Sequence, residues 1–447
     1  MLTAIIVIFV LGYIAIALEH PLHINKTASA LLIGALCWAL YAVSSESLVL
    51  DSMITPAFVE HAKAEGADPS RHYLVEWQLL SQTGETASIL FFLMGAMTIV
   101  ELIDANEGFS IITNRIRTKR KVTLLWIVGI LTFFLSAVLD NLTTTIVMIS
   151  LLRKMVGDRR DRLLFAGQVV IAANAGGAWT VIGDVTTTML WIKGKISTLP
   201  VMSELFAPSL ACLLVPLIGM SFYLRGPVEA PEVNNHEHAK KISHGIKVLF
   251  LVLGVGGLLS VPIFKALTHL PPYLGMILAL SILWIVSEIV HAESDPDVKT
   301  STGLLTVLKR VDMSSVLFFL GILLAVGCLG KIGVLHDLAE RLDGWIGNQE
   351  IVAVIIGFVS AVVDNVPLVA AGIEMYSDPK DSPFWMLLAF CAGTGGSCLI
   401  IGSAAGVAAM GLEKIDFIWY VRNISLWATL GYLVGVGVII AQRAIVG

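Results

Sequence analysis

Ser136-Ala-Val-Leu-Asp-Asn141 recurs 224 residues later as Ser360-Ala-Val-Val-Asp-Asn365. In both copies the Asp-Asn pair sits in the middle of an apolar segment, residues 122 to 152 and 351 to 376. Each segment is too long for one bilayer crossing of about 20 residues and too short for two with a turn. Two further matches keep the same order. Ser88-Ile-Leu-Phe-Phe-Leu93 recurs as Ser315-Val-Leu-Phe-Phe-Leu320, and Gly176-Gly-Ala-Trp-Thr-Val-Ile-Gly183 as Gly395-Gly-Ser-Cys-Leu-Ile-Ile-Gly402, at offsets of 227 and 219 residues. Three ordered matches at slowly drifting offsets mark an internal repeat, which decides the whole architecture.

The repeat lies in a chain of 447 residues that is 56% hydrophobic and 14% charged, with a mean hydropathy of +0.85. A soluble domain carries about 25% charged residues. The composition predicts an all-α polytopic membrane protein and excludes a soluble enzyme, a secreted disulfide scaffold and a disordered chain. Single crossings are expected near residues 1 to 18, 27 to 43, 86 to 103, 201 to 224, 247 to 265, 273 to 291, 314 to 330 and 421 to 441. Segments 163 to 192 and 384 to 412 are interrupted by Gly-rich polar runs, as discontinuous helices are. Residues 1 to 18 lack a basic leader and a small-residue cleavage site and read as a retained span. The five cysteines lie in apolar runs without C-x-x-C spacing and read as small buried hydrophobes. With a net charge of −5 and Lys and Arg confined to short loops, the expected partner is the lipid bilayer and not nucleic acid.

Loop charge orients the spans. Residues 104 to 121 hold Arg115, Arg117, Lys119, Arg120 and Lys121, and residues 153 to 162 hold Arg153, Lys154, Arg159, Arg160 and Arg162. Both flanks of 122 to 152 are therefore expected on the cytoplasmic side. A segment that enters and leaves by one face is a re-entrant hairpin, and its tip must lie inside protein or against a water-filled cavity. Carried along the chain, this orientation puts 20 of the 29 Lys and Arg inside and the acidic 44 to 82 connection outside. Five crossings separate the Leu-Phe-Phe-Leu copies, so the second copy is expected upside down, with its Asp-Asn tip converging on the first. Inverted repeats with two re-entrant hairpins and two discontinuous helices around a midplane site are a secondary-transporter architecture. No G-x-x-x-x-G-K-[ST] element is present to power a primary pump. The expected organisation is N-terminal spans and an acidic external connection over 1–82, a first transport repeat over 83–224, a cytoplasmic loop with two linking spans over 225–313, and a second, inverted transport repeat over 314–447.

Asp140 and Asp364 occupy apolar contexts. A carboxylate at the bilayer centre costs about 2.5 to 3.5 kcal/mol even on the lenient insertion scale, so an intramembrane acid is a functional candidate. The plainer reading is a helix N-cap; the two are compatible if Asn141 and Asn365 cap while the acids face the cavity. The first broken helix reads Asn174-Ala-Gly-Gly-Ala-Trp-Thr-Val-Ile-Gly-Asp-Val-Thr-Thr-Thr188. Its glycines permit unwinding or close helix packing. Asn174, Asp184, Thr186 and Thr187 supply the oxygens that hard cations prefer, although Asp184 also suits a cap. In the second copy Ser403 stands for Asp184 and Gly393 for Asn174, so the site is asymmetric. Three acids with no basic residue in these segments attract small cations. Their mutual repulsion is relieved by a metal ion or by a proton, and the two then compete for the same oxygens. No cofactor is expected, the ions being cargo. Glu85 and Asp312 occupy equivalent entries to the Leu-Phe-Phe-Leu spans and read as interfacial. Glu101, Asp104 and Glu107 read as a solvated boundary, and His236-Glu237-His238 as a solvated loop.

Leu139-Asp-Asn-Leu-Thr-Thr-Thr145, Asn174 to Thr187, Asp364-Asn-Val-Pro367 and Gly393-Thr-Gly-Gly-Ser397 together resemble the NhaD type sodium/proton antiporters of the ion transporter superfamily. The resemblance implies exchange of cytoplasmic Na+ or Li+ for external H+ across a bacterial inner membrane, for sodium and pH homeostasis. It implies functional roles for Asp140, Asn141, Asn174, Asp184, Thr186, Thr187, Asp364 and Asn365, and more weakly for Ser360 and Ser397. The wider superfamily implies a scaffold-plus-transport arrangement similar to the divalent anion/sodium symporter fold, and a homodimer. A sodium-coupled carboxylate symporter or an arsenite transporter is the alternative on the same fold. The symporters typically carry Ser-Asn-Thr at the hairpin tips, whereas both tips here carry Asp-Asn. An intramembrane aspartyl protease needs Gly-x-Gly-Asp, which Val181 breaks.

Overall fold

In hydrocarbon every backbone N–H and C=O must be satisfied within the chain, so the apolar runs form helices. A computed structural model describes residues 1–113, 116, 118–229, 242–293, 299–300 and 302–446. His236-Glu237-His238 lies outside them. Among the described residues the secondary structure is helical, apart from one isolated bridge between Arg120 and Pro227. In chain order the main helices are α1 (Leu2–Ala17), α2 (Lys26–Val43), α3 (Arg71–Ala105), α4 (Lys121–Leu139), α5 (Asn141–Met155), α6 (Arg159–Ala178), α7 (Val185–Ile192), α8 (Thr198–Ser221) and α9 (His244–Thr268). They continue with α10 (Pro272–Val290), α11 (Met313–Ile332), α12 (Val334–Ile346), α13 (Gln349–Val359), α14 (Asn365–Met375), α15 (Pro383–Gly395), α16 (Ala404–Glu413) and α17 (Phe417–Ile445).

Eight of these, α2, α3, α4, α8, α9, α10, α11 and α17, are long and apolar enough to cross a bilayer. With 16 residues, α1 is about 24 Å long, short of the roughly 30 Å hydrocarbon core. Helix α3 starts at Arg71, fifteen residues ahead of the apolar run. There the Arg71 guanidinium donates to Glu46 O at 2.6 Å and to Asp51 Oδ1 at 2.8 Å, fastening the helix start to the acidic connection. All five cysteines are free and buried.

The chain divides into two compact units. The first comprises residues 1–91, 312–347 and 370–377. Its centre is a parallel pair, α2 and α11, matched at an offset of 286 or 287 residues. Thr27 Oγ1 donates to Ser314 O at 3.0 Å, and Trp38 Nε1 to Leu324 O at 2.8 Å. Between them Gly34 and Gly321 bring the backbones together: a Cβ on Gly34 would lie 2.7 Å from Gly321 O. Small residues permit this approach, which is how helices bind one another where lipid competes for apolar surface. The start of α3 runs the other way, Gln78 meeting Tyr41 at 3.0 Å and Gln82 Nε2 meeting Leu323 O at 3.3 Å.

The second unit comprises residues 92–311, 348–369 and 378–447 and contains most of both repeat copies. The copies make the same internal contacts. A Cβ on Gly176 would lie 2.2 Å from Phe133 O, and one on Gly395 2.1 Å from Gly357 O. A Cβ on Gly183 would lie 2.7 Å from Ser136 O, and one on Gly402 2.5 Å from Ser360 O. Ser136 Oγ donates to Ala173 O at 2.6 Å and Ser360 Oγ to Ala392 O at 3.0 Å. The motif glycines thus serve close backbone packing as well as the helix breaks, which fall at residues 179–184 and 396–403.

Candidate cation site

The site is built where helices stop. Between α4 and α5 a single residue, Asp140, adopts φ +73°, a left-handed conformation that is uncommon outside glycine and costs of order 1 to 3 kcal/mol. Its carboxylate caps α5, accepting from Thr143 N at 2.8 Å and from Thr143 Oγ1 at 2.9 Å. Asn141, not Asp140, turns into the protein. Its Nδ2 donates to Asn174 Oδ1 at 2.9 Å and to Asp184 Oδ2 at 2.7 Å. Of the two arrangements open to this pair, the one found has the acid capping the helix and the amide facing the interior.

Asp184 ends the first break and caps α7. Its Oδ1 accepts from Thr186 N and Thr186 Oγ1, both at 2.9 Å, leaving Oδ2 to Asn141. Thr187 Oγ1 donates to Asp184 O at 2.9 Å, tightening the same turn. The residue is 1% exposed, so the carboxylate is desolvated on every side. Asn174, from α6, is fully buried and bridges to the second copy: its Nδ2 donates to Ser397 Oγ at 2.8 Å and to Ser403 Oγ at 2.9 Å. Ser403 in turn caps α16, accepting from Gly406 N at 3.1 Å. A continuous line of polar groups thus runs Asp184, Asn141, Asn174, Ser397 and Ser403.

Asp364 and Asn365 form the other tip. Asp364 Oδ1 accepts from Val366 N at 3.3 Å, and Asn365 is buried with its side chain near Asp184. Asp184 lies within electrostatic range of both Asp140 and Asp364. Among the described residues, however, no three acidic, His or Cys side chains converge to hold one metal ion. Any cation here must share a carboxylate with amide and hydroxyl oxygens. Gly393 contributes space, since a Cβ on it would lie 3.8 Å from Asp184 Oδ2. The apolar stretches 122–152, 163–192, 351–376 and 384–412 that meet here carry no Lys, Arg or His.

Of the sequence candidates, Asn141, Asn174, Asp184, Thr186 and Ser397 join one hydrogen-bonded network, while Thr187 buttresses Asp184 through its backbone. Asp140, Asp364 and Asn365 occupy the two tips, and Ser360 ties its tip to α15. Ser403 is the residue that motif reading left out; its alignment with Asp184 in the repeat was the available signal. Away from the site, Asp312 is an N-cap, bonding Ser315 N at 3.2 Å, and Glu107 forms an ion pair with Lys247.

Residues 13–378 match the family described as "Citrate transporter". The chain is 48% identical over 451 residues to "Sodium/proton antiporter 1" of Arabidopsis thaliana, covering 98% of this chain and 72% of that protein. It is 44% identical to "Sodium/proton antiporter 2" of the same plant, covering 96% and 97%. To "Na(+)/H(+) antiporter NhaD" of Alkalimonas amylolytica it is 31% identical, covering 94% and 89%. The chain belongs to the NhaD antiporter family. NhaD proteins are membrane transporters and not enzymes, in keeping with the apolar helices. These relatives include both plant and bacterial proteins, so family membership is independent of the host membrane.

Proposed function

We propose that this protein exchanges Na+ or Li+ for H+ through the Asp184 network, moving the metal ion out of the cytoplasm and the proton in, in the service of sodium and pH homeostasis. The observation that carries the reading is a carboxylate, 1% exposed, whose hydrogen-bond donors are all neutral. A buried anion without a counter-ion is costly. A sodium ion or a proton offsets that cost equally well in charge, and competition between them couples the two fluxes. Ligands for the metal are drawn from Asp140, Asn141, Asn174, Asp184, Thr186, Thr187, Asp364 and Asn365, with Ser360 and Ser397 holding the frame.

The reading includes an inverted repeat over 83–224 and 314–447, with two re-entrant hairpins and two discontinuous helices. It is supported by the opposite run of α3 and α11, which carry the two Leu-Phe-Phe-Leu motifs, and by the matched glycine contacts. It also includes a homodimer, placed in a bacterial inner membrane as the NhaD resemblance implies.

The family description favours a second reading, cotransport of a carboxylate such as citrate. Acidic residues at both tips oppose it by repelling an anion. Inside-out vesicles with an established proton gradient and a pH-sensitive dye separate the two. Gradient collapse on adding NaCl or LiCl, absent in D364N, supports exchange through this site. Collapse that requires citrate, or no response between about pH 7 and 9 where a base-tuned exchanger operates, overturns it.

A further inference from the structure

Helix α7 has eight residues, and its first turn holds Asp184, Thr186 and Thr187 in the network. Two turns of helix are marginal alone, so its position depends on what grips each end. Asp184 grips the N-terminal end. At the other, Gly194 at φ +73° closes a turn in which Lys195 N donates to Leu190 O at 2.8 Å and Gly194 N to Trp191 O at 3.1 Å. The Trp191 carbonyl takes a second bond from outside the turn. Lys265 Nζ, delivered by α9, donates to it at 2.8 Å and stands 4.2 Å above the centroid of the buried Trp191 ring.

The far end of α16 is constructed alike. Lys414 takes φ +50° where Gly194 stands, and Ile415 N donates to Met410 O at 3.1 Å, the Lys195 to Leu190 bond shifted by 220 residues. Here the outside donor is Arg153 from α5, which bonds Leu412 O. Its Nε also bonds Glu413 Oε1 at 2.7 Å, and Arg162 Nε holds Oε2 of the same carboxylate at 2.8 Å. Each half-helix that begins at the polar network therefore ends on a basic side chain supplied by another helix. Cations at a helix C-terminus satisfy orphan carbonyls and oppose the negative end of the helix dipole.

We propose that Lys265 and Arg153 are matched positioning residues for cation exchange: they tether the far ends of α7 and α16 and so hold the oxygens of Asp184 and Ser403 in register. The assignment rests on the exchange reading above. Neither side chain touches the network, so its effect is on cation affinity and not on a chemical step.

The test is the Na+ dependence of gradient collapse in inside-out vesicles for wild type, K265M, K265R and R153M, with each protein quantified in the membrane. K265M keeps the aliphatic stem but loses the donor. It is expected to raise the apparent KM for Na+ about tenfold, the scale of one lost hydrogen bond from a charged donor. K265R keeps a donor and stacks on the indole, and is expected to restore KM to about the wild-type value. R153M is expected to raise KM less, since Arg162 still holds Glu413. K265M at wild-type KM, whether at full or reduced protein level, overturns the Lys265 assignment; an unchanged KM in R153M overturns the match between the two ends. Failure of K265R to rescue also overturns the tether. Wild type that exchanges no cation overturns the exchange reading itself, and the assignment with it.

Discussion

The two repeat copies share several backbone contacts and differ in chemistry. Gly176 meets Phe133 O as Gly395 meets Gly357 O, and Ser136 bonds Ala173 O as Ser360 bonds Ala392 O. Yet the first copy places Asp184 and Asn174 in the interior, where the second has Ser403 and Gly393. The tip of the first copy is strained at Asp140, with φ +73°, while no strained residue marks Asp364. Close packing constrains both copies identically because a carbonyl within 2.2 Å of a would-be Cβ leaves room for glycine alone. Charge is free to differ, and a site for one cation needs only one deeply buried carboxylate. The packing contacts are common to both copies, and the two positions that differ carry the buried carboxylate and amide.

The largest effect that would break this comparison lies at Asp184. D184N is expected to abolish Na+-driven gradient collapse while the protein still inserts, because an Asn side chain keeps a capping oxygen but loses the charge. Collapse at the wild-type rate in D184N would remove the deep carboxylate from the exchange. D140N and D364N are each expected to abolish cation exchange with normal insertion, measured in the same vesicles. Full activity in one alone would restrict the chemistry to the other tip.

Frame mutations should act symmetrically. G176A and G395A are each expected to lower the thermal midpoint in detergent, at an overpacking cost of about 1 to 3 kcal/mol or more. A large loss in one with none in the other would mean that the copies are not equivalent in packing. The smallest contrast concerns the two tip amides. N141A removes two hydrogen bonds, one to a carboxylate, at about 1.5 to 3 kcal/mol for the charged one. N365A removes an amide that, among the described residues, makes no close hydrogen bond of the Asn141 kind and only a weaker contact with Asp184, and is expected to cost less than N141A, about 1 kcal/mol of stability. Chemical or thermal denaturation of the purified variants ranks them, and equal losses would sharpen the picture toward a symmetric network.

Much of the fold was legible along the chain. The runs 273 to 291 and 314 to 330 became Pro272–Val290 and Met313–Ile332, because twenty apolar residues in lipid have little alternative to a helix. The Arg71 start of α3 was not, since residues 71 to 85 are mixed in polarity and their helicity follows from the continuing span and from Arg71 binding Glu46 and Asp51. At the site, the residues that matter were visible as acids and amides in apolar surroundings. Their division of labour was not: whether Asp140 or Asn141 faces inward depends on one backbone angle at the helix junction. Ser403 likewise looks unremarkable until Asn174 reaches it from the other copy.

By itself, then, the order of residues determined the membrane class, the repeat, the places where helices break and the absence of basic residues near three intramembrane acids. These follow from hydrophobic length, glycine content and charge, which are properties of short stretches. Tertiary structure alone decided that α2 lies parallel to α11 across some 287 residues, that Asn174 bridges the copies, and that Lys265 and Arg153 reach the far ends of α7 and α16. Each of these is a contact between segments remote in sequence, selected by the packing of whole helices and by the need to satisfy every buried polar group.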